Sequence, residues 1–88
     1  MKIVFEASFA RDLKKISEKV ILNRVEQAIV NVKEADSMQD ILNISKLSGY
    51  DTYYRLRVGD YRIGLEVVGD EIIFARILHR KDIYRYFP

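Results

Sequence analysis

Six of the eight arginines fall after Ser45, at Arg55, Arg57, Arg62, Arg76, Arg80 and Arg85, and so do all six tyrosines, Tyr50, Tyr53, Tyr54, Tyr61, Tyr84 and Tyr86. Guanidinium forks match phosphate oxygens, and tyrosine rings can stack on bases. The second half of the chain therefore carries the residue types of an RNA contact surface. A tyrosine-rich sheet with solvated arginines would show the same composition. Other chemistries are excluded more firmly: the chain has no nucleophile elbow, phosphate-binding glycine loop, zinc-ligand spacing or paired-carboxylate motif. With no cysteine there is neither a disulfide framework nor a thiolate metal site, so neither metal nor cofactor is expected. The single histidine, His79, directly precedes Arg80, Lys81 and Asp82, a setting that suits a surface or structural histidine as well as a functional one.

The elements that must position these residues follow from the hydrophobic pattern. Eighty-eight residues, 49% of them hydrophobic, suit one small domain over residues 1–88 with a single core. No apolar run approaches the roughly 20 residues of a membrane helix, and no long apolar stretch follows a basic start, which predicts a soluble cytoplasmic protein with no membrane partner. The net charge of +2 is small. Its distribution is more informative, with 7 basic against 7 acidic residues through Ser45 and 8 against 6 afterwards.

Lys2 to Glu6 alternates as a first strand, with Ser8 as the expected N-cap of a helix whose apolar stripe is Phe9, Leu13, Ile16 and Val20. A second helix is predicted from Ile21, Val25, Ala28, Ile29 and Val32, and residues 35–48 read as a connector. From Thr52 the period becomes two, and Gly59-Asp60 and Gly69-Asp70 mark tight hairpins. The predicted fold is α+β: an N-terminal strand, two packed helices, a three-stranded antiparallel meander forming one sheet, and a short C-terminal segment.

A two-residue loop at Gly59-Asp60 sets Val58 opposite Tyr61 and Arg57 opposite Arg62. Tyr53, Arg55, Arg57, Arg62, Gly64 and Glu66 then share one face, while Tyr54, Leu56, Val58, Ile63 and Leu65 point to the helices. Like charges directly opposite each other are unfavourable, so Arg57 facing Arg62 suggests an anionic ligand. The same rule applied at Gly69-Asp70 would place Arg76 in the core, an arrangement too costly to hold. A one-residue register shift is therefore expected, turning Ile73, Ala75 and Ile77 inward and Arg76 outward.

Three stretches, Lys46-Leu47-Ser48-Gly49, Tyr54 through Ile63 (YRLRVGDYRI) and Leu78 through Tyr84 (LHRKDIY), resemble the RelE branch of the RelE/ParE toxin superfamily. The order of elements matches that fold over essentially the whole chain. The resemblance implies a type II toxin that cleaves mRNA in the ribosomal A site and is restrained by a RelB-like antitoxin. It also implies catalytic roles for Arg55, Arg57, Arg62, Arg80 and Tyr84, with RNA contacts from Lys46, Tyr53, Arg76, His79, Lys81 and Arg85. Lys46 matches a connector position suited to holding the RNA backbone. Some relatives carry lysine where this chain has Arg55 and Arg57. Arginine does not release its proton, so proton transfer would fall to Tyr84, His79 or the ribosome. Hydrophobic anchoring of the C-terminal segment is the competing role for Tyr84 and Tyr86. A gyrase-inhibiting toxin of the ParE type and a non-catalytic RNA-binding module share the same fold expectation.

Overall fold

The computed structural model describes residues Met1–Pro88. The chain runs β1 (Lys2–Phe5), α1 (Ala7–Lys14), α2 (Lys19–Glu34), a 3-10 turn (Met38–Asp40), β2 (Ile44–Lys46), β3 (Tyr53–Val58), β4 (Tyr61–Val68), β5 (Glu71–His79) and α3 (Ile83–Tyr86). All five strands form one sheet in the order β1-β5-β4-β3-β2, with β1 parallel to β5 and the other pairs antiparallel. The α+β class and the β3-β4-β5 meander are as the sequence predicts, but the sheet is five-stranded and mixed. The extra strand, β2, lies inside the expected connector and is too short and too polar to show an alternating pattern.

One face of the sheet carries the main core. Leu56, Val58, Ile63, Leu65, Ile72, Phe74 and Ile77 meet Phe9, Ile16, Ile21, Val25 and Val32. Burial on this scale, at about 25 cal/mol per Å² of apolar surface, is what offsets the chain entropy of so small a domain. The helices depart from the sequence reading at their junction. α1 stops at Lys14 although the apolar stripe runs on to Val20, and Val20 is exposed. The chain turns between Lys15 and Glu18, sending Ile16 into the core and letting α2 cross the sheet from β1 to β3.

Ser8 is not the N-cap; Glu6 occupies that position without a side-chain capping bond. The Ser8 hydroxyl instead donates to the carbonyl of Ala75 in β5 at 2.6 Å. The reason lies in the register of β4 and β5. Pairing passes from Gly64–Arg76 to Leu65–Phe74, so Ala75 has no partner and forms a bulge. Arg76 turns outward across this bulge as expected, and Ile77 is buried. Ile73 and Ala75, predicted to turn inward, do not. The tight turn keeps Val68 opposite Glu71, and the shift occurs in mid-strand, so Ile72 and Phe74 fill the core instead.

β1 pairs with β5 only as far as Phe5–Phe74, leaving the bulged part of β5 as an open edge. α1 covers it. Ser8 takes the Ala75 carbonyl, and one turn later the Asp12 carboxylate accepts the Ile77 N–H at 3.1 Å. The same carboxylate accepts Arg76 Nε at 2.7 Å and Arg76 Nη2 at 3.1 Å. Asp12 is only 4% exposed at its side chain, so its charge depends on these three donors. Replacing Asp12 with Ala should lower stability by about 2–3 kcal/mol, because Arg76 and the Ile77 N–H both lose their acceptor. In thermal unfolding the midpoint should fall by roughly 10 °C or more. Asp12→Asn, which still accepts from Ile77, should lose less; equal stability of all three proteins would disprove this role for Asp12.

Candidate nucleic-acid interface

The second face of the sheet holds the cationic residues. Arg57 lies opposite Arg62, and Arg55 opposite Gly64, the pairing derived from the sequence. Ser45 of β2 is opposite Arg55 on the same face. The short helix α3 covers part of this face, anchored by Ile83 and Phe87, both buried outside the main core. Phe87 can approach because Gly64 has no side chain: a Cβ there would lie 2.6 Å from the phenyl ring. Tyr53 packs edge-on against Phe87, with ring centroids 5.4 Å apart, and Arg76 lies over the Tyr86 ring at 5.7 Å.

This anchoring brings Tyr84 over the arginines. Arg55 Cζ lies 5.2 Å from the centroid of the Tyr84 ring, a cation–π contact. Arg55, Arg57, Arg62 and Tyr84, with Asn43, Ile44 and Ser45, line an open cleft of about 400 Å³. The Tyr84 side chain is otherwise largely exposed. Arg62 Nη1 donates to the carbonyls of Gly59 and Tyr61, both at 2.9 Å. The Arg62 pKa lies below the usual arginine value, chiefly through burial and then through the positive charges of Arg57, Arg55 and Arg80. Clustered in this way, the guanidinium groups form a patch of positive potential that can receive an anion.

The other candidates are distributed elsewhere. Arg80 stands outside the cleft lining, 3.9 Å from Asp60 and close enough to raise the potential at Arg62. His79 is opposite Tyr61 and packs on its ring, on the helix-covered face rather than the cleft face. Lys46 is opposite Tyr54 and also points away from the arginines. Tyr53 shares the cleft face but is engaged with Tyr50 and Phe87. Arg76 is turned outward by the bulge and held by Asp12, with its side chain 28% exposed. Lys81 and Arg85 are exposed beyond the cleft.

Asn43 and Ser45 of the cleft wall were not legible in the sequence, since neither belongs to an alternating run. A larger groove of about 840 Å³ lies between α2 and β3, lined by Glu34, Asp36 and Asp40 as well as by Arg24 and Arg57, so it lacks the uniform positive charge of the cleft.

A mixed five-stranded sheet with two helices on one face and a short C-terminal helix over the other is also the architecture of known toxins. A solved RelB-RelE antitoxin-toxin complex from Methanococcus jannaschii superposes with a TM-score of 0.78 at 46% identity, covering 97% of this chain and 99% of that one. Toxin RelE3 of Methanocaldococcus jannaschii is 49% identical over 89 residues, spanning all of both chains. YafQ of Escherichia coli shares the fold at a TM-score of 0.73 and 15% identity, covering 94% of this chain and 97% of that one. The family model described as the ParE toxin of type II toxin-antitoxin systems, parDE, matches residues 3–84. The chain belongs to the RelE/ParE superfamily of type II toxins, in its RelE-type branch.

Gly64→Ala should push Phe87 from its seat and loosen α3 without disturbing the main core. Hydrogen exchange should then show faster exchange at Phe87, whose N–H bonds to Ile83, with Ile63 and Leu65 still protected. Unchanged exchange at Phe87 would rule out this anchoring.

Proposed function

We propose that this toxin is a metal-independent endoribonuclease that cuts mRNA on the ribosome and is neutralised by a RelB-like antitoxin. The observation that carries the proposal is the convergence of Arg55, Arg57, Arg62 and Tyr84 on one cleft in which none of the three guanidinium groups has a carboxylate partner. The relatives' complexes with RelB support the antitoxin partner.

In the proposed reaction the ribose 2′-oxygen attacks its own 3′-phosphorus. The P–O5′ bond breaks as the O2′–P bond forms, leaving a 2′,3′-cyclic phosphate and a free 5′-hydroxyl. The 2′-hydroxyl gives up a proton, and the departing 5′-oxygen takes one. Arg55, Arg57 and Arg62 hold the phosphate and oppose the charge that builds on its oxygens. Being permanently protonated, they do not act as bases. Tyr84 is the remaining acid–base side chain on the cleft wall, and its exposed position lets it either transfer a proton or stack on a base. His79 has no such access from the opposite face.

The family model is named for the ParE toxin, and the ParE-type alternative is a toxin that inhibits gyrase by protein contact. The two differ in what expression of the chain does to a cell. Codon-positioned 5′ ends in translated mRNA are expected here, whereas intact mRNA with arrested replication would support the alternative. Arg62→Ala should slow cutting by about 10²-fold or more, the usual loss for one transition-state donor. Tyr84→Phe should slow it by about 10²–10⁴-fold if the phenol moves a proton. Both variants should retain native circular dichroism. Normal cutting by both would exclude this site.

A further inference from the structure

The arginines of the cleft are held in place by groups that carry no charge. Arg55 Nε donates to the Ser45 hydroxyl at 3.0 Å, across the β2–β3 pairing. Arg57 Nη2 donates to Asn43 Oδ1 at 3.2 Å, while the Arg57 backbone N–H donates to the Asn43 carbonyl at 3.0 Å. Asn43 is the one residue other than glycine with a positive φ, 64°. Asparagine tolerates this left-handed geometry better than most residues, and here it directs the side-chain amide at Arg57. Other arginines are treated differently: Arg76 and Arg80 each lie within 4.0 Å of a carboxylate.

An arginine can be oriented by a carboxylate or by a neutral acceptor. A carboxylate would cancel much of the charge that a phosphate needs; a neutral acceptor leaves it intact. Arg55 spends only its Nε–H on Ser45, so its four terminal N–H donors stay available. We propose that Asn43 and Ser45 are positioning residues of the cleft, fixing the guanidinium groups of Arg57 and Arg55 without neutralising them so that both can engage one phosphodiester of single-stranded RNA. The proposal rests on the reading of this cleft as an RNA site. It gives edge strand β2 a role in the site beyond completing the sheet.

Four variants of the full chain separate orientation from charge: Asn43→Asp, Asn43→Gly, Ser45→Ala and Ser45→Thr. The binding probe is a short single-stranded RNA with every 2′-oxygen methylated, so that it cannot be cut, titrated over a range of salt concentrations. Asn43→Asp keeps an acceptor at the same place but adds a negative charge. It should weaken binding by up to about fivefold at low salt, the effect of one close ion pair. The slope of log affinity against log salt should fall by about 0.7, the loss of one phosphate contact on a single strand. Asn43→Gly keeps the backbone conformation and adds no charge but removes the amide that holds Arg57, so its affinity should fall while its salt slope changes less than that of Asn43→Asp.

On stalled ribosomes, Ser45→Ala should lower the maximal cleavage rate by about tenfold with little change in KM, because binding persists while geometry is lost. Ser45→Thr, which retains the hydroxyl, should restore the rate. An Asn43→Asp protein with wild-type affinity and salt slope would overturn the role of Asn43. A Ser45→Ala protein that cuts at the wild-type rate would overturn that of Ser45. If wild-type protein leaves mRNA intact, the nuclease reading fails, and the methylated RNA still decides the role of Asn43 by the same criterion.

Discussion

The buried carboxylate of Asp12 is the constraint on which the rest of the structure depends. It closes the open edge of β5 by accepting the Ile77 N–H, and it binds Arg76 through two guanidinium nitrogens. With Ser8 one helical turn earlier, it compensates for the bulge at Ala75, where the sheet's own pairing fails. The bulge in turn lets Ile72, Phe74 and Ile77 all enter the core while Arg76 stays out of it. Without that shift, one of these residues would have to occupy the wrong face. A helix with two polar residues four positions apart thus takes over where a β-strand ends.

The consequences reach the cleft through the strand next to β5. Gly64 lies opposite both Arg55 and Arg76, and its bare surface is where Phe87 sits. Arg76 also lies over Tyr86, so the same ion pair that seals the sheet edge buttresses α3. Tyr84 reaches Arg55 because its helix is held on both sides, by Phe87 against the sheet and by Tyr86 against Arg76. The charge pattern divides accordingly. The arginine that supports structure is paired with a buried carboxylate, and the arginines of the cleft are left with neutral acceptors.

Much of this was legible in the sequence, for physical reasons that can be separated. A two-residue loop at Gly59-Asp60 fixes pairing by geometry alone, and the opposition of Arg57 and Arg62 followed directly. The need for a bulge followed from the cost of burying Arg76, but its position did not. That position depends on Ser8 and Asp12, more than sixty residues away in the chain and unremarkable in their own helix. Strand β2 was missed because three residues give too short a pattern, and Asn43 and Ser45 were missed with it. The resemblance to RelE-type toxins brought Arg80 and Tyr84 into consideration. The structure brings Tyr84 to the cleft wall and leaves Arg80 outside it.

The parallel pairing of β1 with β5 has a bearing on how the molecule comes into being. Ser8 must wait for a carbonyl 67 positions further along before its edge can close, and Asp12 for an amide 65 positions on. Contacts between such distant segments form slowly, because a long loop must close before any reward arrives. During synthesis the first strand and helix therefore emerge without their eventual neighbour, and the β3–β4 hairpin can form well before the edge is sealed. Arg76 gains the carboxylate that braces the helix carrying Tyr84 only once the beginning of the chain has met β5.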